Sequence, residues 1–300
     1  PLHKFPYTKA APKSVIGVMD SGRKTRVIVG VLLGLLFVGI VALGSVFRTV
    51  VFTVAAVIAV YEMSNMIYKK TEKNIFAAPA YIFAALCFPV ASFPAALAAR
   101  MSAATAIMLL GALCLMLIAA ERVFNKLRTT EESIYSAFML IYPMSLFGML
   151  ALIMPADGLV SPKNVGLLLV FICPLMGDML AYYIGSSMGK RKLCPEISPH
   201  KTVEGSYGSF LGGLLGGFVC FLLQFIWGLR LPILPMLLVG IICGGVGQIG
   251  DLFASVIKRW AGAKDYGNIF PGHGGVIDRL DSVLMCAPVV LCYVWLSMLG

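Results

Sequence analysis

Of the 300 residues, 59% are hydrophobic and 13% are charged, about half the charged share of a soluble domain. With a mean hydropathy of +0.91, the chain cannot cover itself in water, which excludes soluble enzymes and binding modules and leaves an integral membrane protein. A net charge of +10 would suggest nucleic acid in a soluble chain; here it points to an anionic membrane leaflet and anionic substrates, with no nucleic-acid partner.

Residues 1–22 are polar and basic with three prolines. They are expected to form a cytoplasmic tail or an amphipathic lead-in, without a signal-peptide pattern. Crossing about 30 Å of hydrocarbon takes about 20 apolar residues. The runs that meet this are Val27–Phe47, Thr49–Ile67, Ile75–Ala99, Ser102–Ala120, Ile134–Met154, Val165–Ile184, Ser209–Leu229, Ile233–Phe253 and Val283–Leu299. The second is the weakest, because Glu62, Ser64 and Asn65 end its apolar core, and Pro79, Pro89 and Pro94 predict a kink or break in the third.

With the N-terminus inside, 20 of the 24 Lys and Arg fall in inside segments, and only Arg48, Arg100, Lys163 and Arg230 fall outside. The positive-inside rule therefore predicts about nine transmembrane helices, N-inside and C-outside, in an all-α polytopic bundle. It forms one membrane domain: the 1–22 tail, N-terminal helices over 23–164, and C-terminal helices with inside loops over 165–300. Seven of the eight cysteines lie in apolar runs and no CxxC occurs, so neither a disulfide frame nor a zinc site is expected. The spacing of Gly208, Gly212, Gly213, Gly216 and Gly217 predicts close helix packing rather than chemistry.

Polar residues concentrate in two inside stretches. The first runs from Asp178-Met-Leu-Ala-Tyr-Tyr-Ile-Gly185 to Ser198-Pro-His-Lys201-Thr202-Val-Glu-Gly205. Asp178 lies two turns from its helix end, roughly 10 Å deep at 1.5 Å per residue, where a carboxylate needs a partner or a wet cavity. In the second, Gln248, Asp251, Ser255 and Lys258 fall on one helical stripe. Arg259, Lys264, Asp265, Pro271-Gly272-His273-Gly274-Gly275 and Asp278-Arg279-Leu-Asp281 follow. Carboxylates are hard oxygen ligands of the kind Mg²⁺ takes together with substrate phosphates. The interleaved Lys and Arg suit the remaining phosphate charge, and glycines around His273 allow backbone N–H groups to approach a phosphate oxygen.

The run from Ser255 through Lys258-Arg259, then Lys264-Asp265 to Asp281, resembles the signature of phosphatidate cytidylyltransferases at every defining position over 27 residues. Gln248-xx-Asp251-Leu252, the Ser198–Gly205 segment and Asp178-xx-Ala181-Tyr182-xx-Gly185 are similar to the family's as well, so the resemblance covers roughly 178–282. It implies a helical membrane fold in a bacterial-type inner membrane, with an active site open to cytoplasm and lipid. It implies CTP and phosphatidic acid as substrates, membrane lipids as surroundings, Mg²⁺ as cofactor and room for a second cation such as K⁺. By motif position Asp251 and Asp278 are the metal pair. Lys258, Arg259, Lys264, Arg279 and His273 are the catalytic candidates, and Asp178, Ser198, Lys201, Thr202, Ser255, Asp265, Gly272, Gly274, Gly275 and Asp281 are the substrate-binding ones. Oligomeric state stays open, a homodimer included. Two other classes compete: an ion-coupled transporter using Asp178 and Asp251 as a coupling pair, and another CTP-using lipid enzyme, a polyprenol kinase or an ether-lipid cytidylyltransferase.

Overall fold

In lipid every backbone N–H and C=O must be satisfied within the chain, so apolar runs of this length become helices. The computed structural model describes residues 13–92, 102–155 and 160–299, with side chains from residue 28 onward. The first twelve residues of the expected tail, the end of the third run with Pro94, and Arg100 lie outside these. The elements are α1 (Lys13–Ala42), α2 (Gly44–Thr71), α3 (Ala78–Ser92), α4 (Ala103–Phe124), α5 (Thr130–Met139), α6 (Ser145–Ile153) and α7 (Pro162–Met188), then a hairpin of β1 (Lys192–Cys194) and β2 (Ser198–Thr202), and α8 (Val203–Leu223), α9 (Ile233–Trp260) and α10 (Ile277–Leu299). Seven helical segments among the described residues are long and apolar enough to cross a membrane, α5 and α6 together making one of them; Ile28–Ala42 and Ala78–Ser92 are shorter apolar helices.

Several expected boundaries move. The lead-in is helical from Lys13, and the first two runs divide at Leu43–Gly44 rather than at Arg48. Gly44 sits at φ +86°, a turn that a residue without Cβ takes freely, whereas Arg48 is buried in α2 and donates to the Pro155 carbonyl at 3.0 Å. The fifth run is also interrupted: Tyr142 leaves helical geometry ahead of Pro143, between α5 and α6, because the residue before a proline is pushed out of the α region. The last helix starts at Ile277, six residues before the expected span's start at Val283, so Asp278 and Asp281 lie in its first turns.

Helix α7 packs on α8, α8 on α9 and α9 on α10, while α2, α3 and α4 form a neighbouring group that meets α10 through α6. The glycine run explains the tightest of these contacts. A Cβ at Gly212 would collide with the Met176 carbonyl of α7, and one at Gly213 with the Gly240 carbonyl of α9. With hydrogen there instead, α8 lies backbone to backbone against both neighbours, as small residues allow in lipid. Gly250 does the same between α9 and α10: its Cβ would sit 2.6 Å from the Asp281 carbonyl. That approach sets Asp251 beside Asp281. No disulfide forms among the described residues.

Candidate active site

The C-terminal ends of α7 and α9, the N-terminal ends of α8 and α10, and the hairpin meet at one end of the bundle around a cavity of about 650 Å³. Thr202 caps α8 through its Oγ1, which accepts from Gly205 N at 3.1 Å, a preferred residue at that position. Glu204, in the first turn of α8, accepts from Lys190 N at 3.0 Å and Arg191 N at 3.2 Å. These bonds fold the hairpin back over the helix ends. Gly185 and Gly189 have no Cβ where Thr202 Oγ1 lies within 2.9 Å. Lys201 then reaches α9, pairing with Asp251 Oδ2 at 2.8 Å, while Ser206 donates to Gln248 Oε1 at 2.9 Å.

Of the residues expected from sequence, Asp178, Lys201, Thr202, Asp251, Lys258, Asp265, Asp278, Arg279 and Asp281 line this cavity. Asp178, Asp251 and Asp281 stand within electrostatic range of one another. Asp251 has Lys201 and a weak Ser255 contact at 3.5 Å, Asp178 has Ser282 Oγ at 3.5 Å, and among the described residues Asp281 accepts only from Ser282 N at 2.7 Å. Three like charges in one cavity repel, and the nearby Lys201 and Arg279 offset this only in part.

Asp278 is held differently. Its side chain is 3% exposed; Oδ1 accepts from Lys258 Nζ at 2.7 Å, and Oδ2 from Tyr266 N at 2.8 Å and Gly275 N at 2.9 Å. A carboxylate offers about four lone pairs, so one is left, on Oδ1. The Lys258 ammonium also lies 5.6 Å from the Tyr266 ring centroid. Tyr266 donates to the Ala254 carbonyl at 3.2 Å. Burial, first of all, pushes its phenol far above the usual range, so it stays a neutral donor.

The remaining expected residues stand elsewhere. Arg259 donates to the carbonyls of Ile197 at 3.2 Å and Ala263 at 3.3 Å, tying the hairpin turn to the end of α9. Lys264 is exposed, and neither it nor Ser198, Ser255 or His273 is among the cavity's lining residues. His273 N donates to the Phe270 carbonyl at 2.8 Å, and its buried Nδ1 makes no hydrogen bond among the described residues. The glycines beside it show a conformational and packing role. Gly272 and Gly274 take φ +76° and +83°, values that favour glycine. A Cβ at Gly274 would lie 2.7 Å from Asp278 Oδ2, and one at Gly275 would overlap Glu62.

His200 and Lys192 of the hairpin and Tyr182 and Ser186 of α7 line the cavity too. The Ser198–Gly205 and Asp178–Gly185 segments flagged their neighbourhood, but it is the hairpin that brings Lys192 and His200 to the cavity and the end of α7 that brings Tyr182 and Ser186. Glu62, which the pattern marked only as ending the apolar core of the second run, is 1% exposed and accepts from Val276 N at 2.9 Å and Ile277 N at 3.0 Å.

No three of the described His, Cys, Asp or Glu converge into a ready-made ligand cluster. The cavity instead offers separate carboxylates with free lone pairs on Asp178, Asp251 and Asp281 and one on Asp278. That donor set fits a hard cation bridging one or two carboxylates and substrate phosphates, the habit of Mg²⁺, better than a closed protein cage.

Residues 24–297 match the family model described as "Cytidylyltransferase family". The chain is 47% identical over 112 residues to a phosphatidate cytidylyltransferase of Bacillus subtilis (strain 168), covering 37% of this chain and 40% of that one. It is 43% identical over 157 residues to one of Aquifex aeolicus (strain VF5), covering 51% and 54%. It is 42% identical over 144 residues to one of Synechocystis sp., covering 44% and 46%. These matches span about half the length of each relative. A 274-residue match that takes in every helix lining the cavity makes this chain a member of the cytidylyltransferase family.

Proposed function

We propose that the protein is a phosphatidate cytidylyltransferase, joining CTP and phosphatidic acid into CDP-diacylglycerol with release of pyrophosphate. The observation that carries this reading is the cavity itself. Asp178, Asp251 and Asp281 face Lys201, Lys258 and Arg279 where spanning helices end, a place that both a lipid headgroup and a water-soluble nucleotide can reach. Relatives bearing that name support it.

The lipid phosphate attacks the α-phosphorus of CTP; a P–O bond forms there and the bond to the β-phosphate oxygen breaks, releasing pyrophosphate. The attacking monoester is already anionic near neutral pH, so the protein's task is positioning two polyanions rather than removing a proton. Lys201 and Arg279 both line the cavity, one from the hairpin and one from α10, and bind phosphate oxygens. Lys258 holds Asp278 in place through their 2.7 Å ion pair. Asp251 and Asp278 would hold Mg²⁺, with Asp281 and Asp178 lining the same cavity and room for K⁺. A cation bound there would supply screening of phosphate charge and stabilisation of leaving pyrophosphate. The cavity faces the cytoplasm of a bacterial-type inner membrane, the side the Lys and Arg bias assigns.

A coupling-ion pair of Asp178 and Asp251 would need a passage through the bundle; the cavity sits at one end and carries basic groups. Purified protein given phosphatidic acid and CTP labelled at the α- or the γ-phosphate tests the reaction. Lipid should take up α-label and no γ-label; γ-label in lipid would make the protein a kinase.

A further inference from the structure

Helix α10 begins without a cap of its own, since Val276 before it has no side-chain acceptor. The first N–H groups of a helix have no partner within it, and in this bundle they are far from solvent. Glu62, on α2 and more than 200 positions earlier, fills the gap: its two oxygens take Val276 N and Ile277 N. The fit is built from both sides. A Cβ at Gly267 would lie 2.6 Å from Glu62 Oε1, and one at Gly275 would overlap the carboxylate. Immediately after the captured amides come Asp278, Arg279 and Asp281, all on the cavity wall.

Asp278 holds the same turn through Gly275 N and ties it to the preceding loop through Tyr266 N. The turn at the head of α10 is thus gripped between two carboxylates that are close enough to repel. An apolar contact would pack α2 against this turn without that penalty, and an ionisable group inside a membrane bundle calls for a functional account. We infer that Glu62 is a positioning residue for the transfer reaction: it sets the angle and depth at which α10 delivers Asp278, Arg279 and Asp281 into the cavity. Charge-assisted bonds to two consecutive amides at the positive end of a helix are strong and directional enough for that. The inference rests on the cytidylyl-transfer reading.

Two variants test it, Glu62→Gln and Glu62→Asp. The amide of Gln turns a donor toward one of the two N–H groups; Asp keeps both acceptors on a stem one methylene shorter. In monodisperse Glu62→Gln, kcat should fall about tenfold or more while KM for CTP stays within about twofold, because bound substrate is misaligned rather than lost. Amide exchange over residues 275–280 should speed up, and Glu62→Asp should recover part of kcat. A kcat within about twofold of wild type, or a loss that only follows the fraction of folded protein, overturns the inference. So does failure of both variants to fold, which would make Glu62 a folding residue. Wild type is assayed alongside with α-labelled CTP: if it labels no lipid, the cytidylyl-transfer reading fails, an outcome distinct from an active wild type matched by Glu62→Gln.

Discussion

Replacing Asp278 by Asn separates two things this residue does. The carboxylate accepts from Lys258 Nζ, Tyr266 N and Gly275 N, and its side chain is 3% exposed against 11% for Lys258. Asn keeps one acceptor oxygen and turns an NH₂ toward a donor. It also strands a buried ammonium. Removing one partner of a buried ion pair costs about 3–5 kcal/mol, so Asp278→Asn should lose stability as well as turnover. For a chain of this size that corresponds to a thermal midpoint lower by roughly 5 °C or more in detergent. Lys258→Met should be similarly destabilised, since it leaves the carboxylate unpaired. The double variant Lys258→Met/Asp278→Asn should be no worse than either single one, because no lone charge remains. Thermal unfolding of the four proteins measures this. A midpoint for Asp278→Asn within about 2 °C of wild type would refute the clamp, and strictly additive losses in the double variant would show that the two residues do not act as a pair.

Asp281 should behave in the opposite way, since it accepts one local bond and faces two like charges. Asp281→Asn and Asp251→Asn should each cut turnover about a hundredfold or more, worth about 2.7 kcal/mol, while Asp281→Asn leaves the midpoint unchanged or higher; retained turnover at saturating Mg²⁺ would remove either residue from the cation site. Gly213→Ala drives a methyl into the Gly240 carbonyl and should destabilise by about 1–3 kcal/mol, read as a lower midpoint; wild-type stability would mean α8 and α9 do not touch there. Cysteines placed at Lys192 and Lys264 should resist an impermeant thiol reagent added to intact cells, and labelling of either would reverse the proposed orientation.

What the chain alone determined is the class and the chemistry. Lipid offers no hydrogen bonds, so apolar runs become helices wherever they occur, and Asp178, Lys201, Asp251 and Asp281 were legible as charges placed where a membrane protein does not waste them. The glycine run was equally readable, because closeness of backbones depends on the local absence of Cβ. Tertiary structure decided how these charges are divided. Asp278 and Asp281 sit one turn apart in the same motif, yet one is held by Lys258 and two amides while the other stays open; that difference comes from the loop folding back over α9. Arg259, read from sequence as a candidate phosphate contact, also donates to backbone carbonyls, because the hairpin turn comes to lie beside it. Glu62 showed in the sequence only as a charge ending the apolar core of the second run: its partners are backbone amides, which every sequence possesses, and only the packing of α2 against the head of α10 says which two it meets.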